Sequence, residues 1–351
     1  MFLLKSTYTA ESVTCGHPDK VCDQISDKIL DECLAQDPKS RVAVECLGGH
    51  GLLTICGEIT STAKVNFTEV AESVYREIGY NDELEIKVNI VQQSSDIALG
   101  VDTGGAGDQG IMYGYAIEGN KELLPTAVVL VHRLARGLEY FRKSEKAPFL
   151  MPDGKTQVTI EQGKIKTVLI SCQHKEDISI KEIKSFLIRE LLNPIFKDLK
   201  DLNILVNPTG KFVKGGFVAD TGLTGRKIMV DTYGGVIPHG GGCFSGKDPS
   251  KVDRSGAYMA RFVAKNIVAH GLAKECLVSV AYAIGKAEPL MVEAINEKGE
   301  ALASLAKEKF DFRPKAIIER LNLLRPIYFQ TATYGHFGKP NLPWEQIIDK
   351  L

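Results

Sequence analysis

Neither sign of charge dominates this chain. Over 351 residues, 43 Lys and Arg stand against 44 Asp and Glu, a formal charge of -1. Proteins that coat nucleic acid or anionic membrane carry a global basic excess, so that class is excluded and any anion site must be local. Long apolar runs are also missing: stretches such as Thr126 to Val131 fall far short of the roughly 20 residues that cross a bilayer. At the N-terminus, Phe2, Leu3 and Leu4 give way at once to polar residues, too short for the h-region of a secretory signal, so the cytoplasm is the expected compartment and no membrane partner is expected. Nor do any two of Cys15, Cys22, Cys33, Cys46, Cys56, Cys172, Cys243 and Cys276 have the two-residue spacing of zinc knuckles or redox sites. They read as reduced, structural thiols.

What is present is an ordinary globular composition, 44% hydrophobic and 25% charged, long enough for two or three compact units. Val21, Ile25, Ile29 and Cys33 recur every four residues, which predicts a helix from Pro18 to Asp37, with His17 just outside its N-terminus. Arg41 to Leu47 and Leu52 to Ile59 read as strands joined by a glycine turn, followed by a helix over Thr68 to Ile78 and a strand over Glu85 to Gln93. Asp96 to Gly114 is so rich in glycine that it reads as a mobile loop. Beyond it the pattern predicts a helix over Thr126 to Arg142, a hairpin of Gln157 to Glu161 with Lys164 to Gln173, a helix over Ile180 to Leu192 and short strands at Asn203 to Asn207 and Ile228 to Val230. A helix near Asp253 to Ala269, strands at Cys276 to Ile284 and Met291 to Ile295, and helices near Ala303 to Phe310 and Pro314 to Leu324 complete it. Hairpins grouped with helices favour α/β layers of mostly antiparallel sheet over a doubly wound parallel sheet. No sequence repeat is visible.

Three clusters carry chemistry. Gly16-His17-Pro18-Asp19-Lys20 opens a helix, where free N–H groups attract phosphate and Asp19 offers oxygen to Mg²⁺; a plain capped helix start is the alternative. Gly241 to Lys247 has the spacing of a phosphate-binding P-loop, but Asp248 stands where Ser or Thr would hold Mg²⁺ and no strand runs into it. Lys247, Lys251 and Arg254 nevertheless add positive charge beside backbone that glycine lets a ligand approach. Asp220 to Lys227 forms the third, with Gly222 and Gly225 around a turn that leads into Arg226 and Lys227. Taken one at a time they read only as a nucleotide or polyphosphate binder with Mg²⁺, and their joint occurrence strengthens the claim.

In these clusters and beyond, the chain resembles the S-adenosylmethionine synthetase family. The runs that carry the resemblance are GHPDKVCDQISD from Gly16, GEIT from Gly57, GAGDQG from Gly105, PDGKTQV from Pro152 and NPTGKFVKGG from Asn207. The longest are TGLTGRKIMVDTYGG after Asp220 and HGGGCFSGKDPSKVDRS ending at Ser255, with YGHFG from Tyr334 closing the series. The resemblance implies an α/β fold of the α+β type: three similar subdomains of mostly antiparallel sheet plus helices around a pseudo-threefold axis. The expected divisions are 1–98, 99–215 (with a glycine-rich gate loop at 96–110) and 216–351.

It also implies that ATP and L-methionine give S-adenosylmethionine, the tripolyphosphate then being hydrolysed to pyrophosphate and phosphate. Carried over by position, His17, Lys155, Asp220, Arg226, Lys227 and Lys247 are the expected catalytic residues. ATP would also meet Asp108, Asp153, Lys211, Phe212, Cys243 and Ile284, and methionine Glu58, Gln93, Asp220 and Lys251. Asp19 and Asp253 match Mg²⁺ ligands (two ions per site) and Glu45 a K⁺ ligand (one per site). A homodimer or homotetramer is implied, with sites at the dimer interface, where His17 reaches the partner's site. Nucleic acid is not an expected partner.

Three departures from the family pattern stand out: Cys15 where an acid is usual, Cys243 where alanine is frequent, and a short segment between Gln93 and Asp108. Both thiols would lie near nucleotide, as reactive groups or merely as small side chains. The short gate would alter product release or analogue tolerance. Two competing readings are a non-catalytic paralogue, which the retained charged positions disfavour, and a P-loop NTPase, which would hydrolyse ATP without methionine.

Overall fold

One plan recurs three times along the chain: a leading strand, a long helix, a β-hairpin, then a shorter helix. The computed structural model describes residues 5–92, 104–196 and 198–351. The first unit comprises β1 (Thr7–Val13), α1 (Pro18–Gln36), the hairpin β2 (Arg41–Gly49) and β3 (Leu52–Thr60), α2 (Phe67–Ile78) and β4 (Glu85–Val91). The second has β5 (Gly110–Ile117), α3 (Thr126–Lys143), β6 (Leu150–Glu161), β7 (Lys164–His174), α4 (Ile180–Leu187) and β8 (Asn203–Val206). The third has β9 (Gly222–Leu223), α5 (Ile228–Asp231), α6 (Val252–Ala269), β10 (Glu275–Tyr282), β11 (Met291–Asn296), α7 (Ala303–Lys309) and α8 (Pro314–Arg320).

Local chemistry sets these ends. Pro18 occupies the first turn of α1, whose entry is capped by the His17 ring accepting from the Asp19 N–H. Asn66 caps α2, which stops at Gly79 with φ 112°, and Ser179 with Glu182 forms a capping box on α4. Positive φ at His50-Gly51 (52° and 82°) and Gln162-Gly163 (47° and 74°) makes the tight turns of two hairpins.

The leading strand of each unit does not join the hairpin that follows it. β1 pairs with β6, β5 with β10, and β9 with β2, all antiparallel. The sheets therefore run β1-β6-β7-β8, β11-β10-β5 and β4-β3-β2-β9, with parallel strand pairs at β3–β4 and β7–β8. This is the expected α+β architecture of three similar units in mostly antiparallel sheet. The repeat lives in topology and not in residue identity, which is why the sequence hides it. One apolar core lies between α3, α4 and the β6–β7 sheet and takes in Ala10 of β1, while the first and third units share another that also includes Met112, Tyr115 and Ala116 of β5.

Three sequence expectations need correction. Gly110–Gly114 is not loop but the start of β5: a Cβ on Gly114 would lie 2.0 Å from the Ala260 backbone, so glycine serves close approach of strand to α6. Ile228–Val230 is not a strand but part of the single helical turn α5, held by Asp231 N–H to Lys227 carbonyl at 2.9 Å and the Thr232 hydroxyl to Ile228 carbonyl at 2.8 Å. A three-residue apolar run has no period, so its β-branched members misled. Ile180–Leu192 is helical, but as α4 followed by a π turn over Ile188–Leu192. Residues 93–103, which include Gln93 and most of the expected gate, lie outside the described residues.

Candidate active site

The first charged turn of α1 lies against backbone on two sides. A Cβ on Gly16 would sit 2.4 Å from Pro152, and one on Gly222 2.1 Å from the Pro18 carbonyl, so β6 and β9 reach the helix only because both positions are glycine. Asp19, fully buried, accepts the Leu223 N–H at 2.9 Å and pairs with Arg226 at 3.0 Å and with Lys227. His17 is also buried. Desolvation first, then the charges of Lys227, Lys155 and Lys20, hold its pKa down to about 2, so the ring is neutral. Because Nδ1 accepts from the Asp19 N–H at 3.2 Å, the proton resides on Nε2. A neutral hydrogen-bond donor thus stands among cations.

Asp153 lies beside it on β6. Its Oδ2 accepts the Gly216 N–H at 2.9 Å, while the buried Oδ1 has no partner among the described residues. Burial raises this carboxyl to about 6. Gln173 ties Asp153 to the segment that carries Phe212: it accepts from the Asp153 N–H at 3.1 Å and donates to the Val213 carbonyl at 3.0 Å. The Phe212 N–H donates to His174, and neighbouring Lys211 pairs with Glu176 at 3.1 Å. Asp220, exposed and capped on its own Thr221 N–H, follows. His17, Asp19, Asp153, Lys155, Asp220, Arg226 and Lys227 thus form one group, with Phe212 on the segment tied to it, whereas the exposed Lys211 side chain pairs with Glu176 instead.

A second group gathers where α6 begins. Lys247 pairs with Asp253 at 2.6 Å, and Lys251 with buried Asp248 at 2.5 Å. Asp248 also accepts the Val42 N–H at 2.7 Å, so it fastens this loop to β2 and is no stand-in for a P-loop hydroxyl. Lys247 bridges Ala43 of β2, and α6 starts only at Val252, so the strand–loop–helix order of a P-loop is absent here. Ala43 faces Glu58 across the hairpin, and Glu45 is exposed two residue pairs along. Asp108 is exposed near Gly110, where a Cβ would lie 3.6 Å from the Asp253 carboxylate; a bridge from Ala106 to Ile284 brings Ile284 to the same loop. Cys243 connects the two groups, since a Cβ on Gly225 would lie 2.7 Å from its sulfur.

Of the departures at Cys15 and Cys243, burial raises both thiols above the ordinary cysteine value. Cys15 is buried and its thiol is pushed up to about 12, mainly by desolvation and then by Glu139. Cys243 is half-buried, and desolvation raises it too, against the pull of Lys247.

The donor set fits hard cations that bind mainly through substrate. Asp19 and Asp253 are separate carboxylates, and no group of three or more His, Cys, Asp or Glu converges among the described residues. One or two carboxylates completed by phosphate oxygens is the habit of Mg²⁺, whereas zinc takes three or four protein ligands.

Sequence reasoning missed the neighbouring face of α1. Asp23, Asp27 and Asp31 are buried, each receiving a backbone N–H: from Gly225 at 2.8 Å, Gly246 at 2.9 Å, and Tyr328 and Phe329 at about 3.0 Å. The four-residue spacing of the aspartates was the available signal.

Profiles of the S-adenosylmethionine synthetase N-terminal, central and C-terminal domains match residues 5–99, 103–212 and 214–346 in that order. The chain belongs to the S-adenosylmethionine synthetase family. S-adenosylmethionine synthases of Petrotoga mobilis and Pseudothermotoga lettingae are 48% and 49% identical to it, covering 99% and 98% of this chain and 97% of each relative. That of Mesoplasma florum is 48% identical over 99% of both chains. The first alignment runs over 392 positions against 351 residues here, so that relative has residues with no counterpart in this chain. The activity of this family member is methionine adenosyltransferase: ATP and L-methionine yield S-adenosylmethionine, and tripolyphosphate is hydrolysed to pyrophosphate and phosphate. Enzymes of the family use metal ions. Among the described residues no helix is long and apolar enough to cross a membrane.

Proposed function

We propose that the two groups are the halves of one synthetase site, brought together across a dimer so that the His17 group of one protomer meets the Asp253 group of its partner. The observation that carries the reading is the pairing of each candidate metal carboxylate with cations, Asp19 with Arg226 and Lys227, and Asp253 with Lys247. A polyanion can take over those cations and leave the carboxylates to a metal. Large apolar side chains exposed close to both groups, Leu47, Val91, Ile111, Val218 and Ile284, support a covered face and hence a homodimer or a homotetramer. The domain divisions of this reading fall at 1–98, 99–215 and 216–351. A cytoplasmic place accords with free thiols at all eight cysteines.

The thioether sulfur of methionine has no proton to lose. Its lone pair forms the bond to C5′ as the C5′–O bond breaks, and the electron pair leaves on tripolyphosphate. The step therefore needs alignment and leaving-group stabilisation, with no general base. His17 donates Nε2–H to the departing oxygen without adding a competing charge, while Lys155, Arg226, Lys227 and Lys247 hold phosphate oxygens. Two Mg²⁺ per site, held by Asp19 and Asp253, would supply further charge neutralisation, and one K⁺ would be held at Glu45. Asp153, with a free buried oxygen, receives a donor from ATP near Lys211; Phe212 supplies a stacking face, and Asp108, Cys243 and Ile284 line the nucleoside. Glu58, Gln93 and Lys251 orient methionine, and Asp220 favours the developing sulfonium.

Purified protein incubated with ATP, Mg²⁺ and K⁺ should form sulfonium product with matching pyrophosphate and phosphate only when L-methionine is present. Methionine-independent phosphate release would contradict the reading. Lys247→Ala should lower kcat far more than it raises KM, because its charge is needed most as the leaving group forms, and an unchanged turnover number would remove it from the step.

A further inference from the structure

Asp19 has two tasks that conflict: it fixes the Leu223 N–H and also pairs with Arg226 and Lys227. If those cations swing to phosphate, Asp19 changes partners while the segment that delivers them must stay in register. One helical turn further along α1, Asp23 lacks that conflict. Its Oδ1 accepts the Gly225 N–H at 2.8 Å, its Oδ2 lies 3.0 Å from the Lys20 ammonium, and Lys20 is itself held by Asp231. All three side chains are buried, out of reach of any substrate.

Carboxylates at i and i+4, one helical turn or about 6 Å apart on α1, meet the N–H groups of Leu223, the last residue of β9, and of Gly225, which lies in the turn that follows with φ 80°. Between them Ser26 and Thr224 share a hydroxyl hydrogen bond at 2.8 Å, and Thr224 is clamped to Cys46 of β2 by two further bonds of 2.9 and 3.0 Å. The next two residues are Arg226 and Lys227. Beyond them, Lys20 fixes the far end of the segment at Asp231, so one buried Asp23–Lys20–Asp231 chain grips both flanks of the cationic pair.

We propose that Asp23 is a positioning residue, which holds Gly225 so that Arg226 and Lys227 meet the polyphosphate in register when they leave Asp19. The inference rests on the phosphate role of Arg226 and Lys227. It is tested by a double-mutant cycle on the full-length protein, reading the Kd of tripolyphosphate with Mg²⁺ by calorimetry. Asp23→Ala should weaken binding about tenfold, the size of one buried hydrogen bond to a backbone donor, and much less when Lys227→Ala is already present. Asp23→Asn keeps an acceptor for Gly225 and should bind within about threefold of the wild type; it carries the test if the alanine variant does not fold. Equal loss in both backgrounds, or a tenfold loss in the asparagine variant, overturns the inference. Lys227→Ala alone separates the two readings: undiminished affinity there sinks the phosphate assignment, whereas weakened affinity with an additive Asp23 effect sinks only the positioning role.

Discussion

Replacing Asp27 by Ala is expected to be among the most destabilising single changes in α1. Asp27 and Arg254 are both fully buried and joined by two hydrogen bonds of 2.8 and 2.7 Å. The guanidinium also donates to the Lys247 carbonyl at 2.8 Å and the Tyr258 hydroxyl at 3.1 Å, and it stacks 4.4 Å from the centre of the Tyr328 ring. Those contacts would keep it in place without its counter-ion, and a buried pair broken on one side costs about 3–5 kcal/mol. The Gly246 N–H, 2.9 Å from Asp27, would lose its acceptor as well. With an unfolding entropy of about 2.1 cal/mol/K per residue, a cooperative chain of this length loses about 1.4 °C of Tm per kcal/mol, so the expected fall is about 4–7 °C. Scanning calorimetry of Asp27→Ala, Arg254→Met and the double variant reads it. Either single change should be worse than the double, in which no charge is left unpaired. A Tm unchanged within 1 °C for Asp27→Ala, or a double variant as unstable as both singles summed, would refute the reasoning.

Three further outcomes follow from the same geometry. His17→Ala should lower kcat about 100-fold with little change in KM, and the wild-type profile should show no titration of this ring between about pH 6 and 9, since it stays neutral throughout; an imidazole titrating in that range contradicts the assignment. Cys15 should remain unmodified when native protein is treated with a thiol reagent at pH 8, and mass spectrometry that finds it labelled as fast as a free thiol would disprove its enclosure. Burial raises the Asp31 carboxyl to about 6, against about 3.9 in the unfolded chain, so the folded state binds more protons between those values and stability from this group falls as pH rises through them. Asp31→Asn should flatten that slope; an unaltered stability difference across the window counts against it.

How far the sequence carried the reading is clearest in α1. Its apolar period, Val21, Ile25, Ile29 and Cys33, located the helix and its buried face, because burial of apolar groups leaves a periodic trace. The aspartates share that spacing, but spacing alone does not show that they are buried. A carboxylate is read as solvated until the N–H groups that receive it are known, and those come from residues about 200 positions away. β1 was missed for a related reason, since Thr7–Val13 gains its meaning only from β6. Glycine misled at β5, where it marks contact and not mobility. For the site, residue types and motif order identified the groups, but the neutral state of His17, the free oxygen of Asp153 and the twofold division of the cations come from three-dimensional neighbours.

The passing of each leading strand to another unit has a consequence for how the chain is born. β1 waits for β6, about 140 residues later; β5 waits for β10; and β2 is not flanked on its far side until Gly222 and Leu223 have been made. A ribosome thus releases no finished third of this molecule, and the nascent chain carries open sheet edges until its last quarter emerges. The loop of dependence closes only with the whole polypeptide, so an excised third would keep an unpaired edge and the three parts stand or melt together.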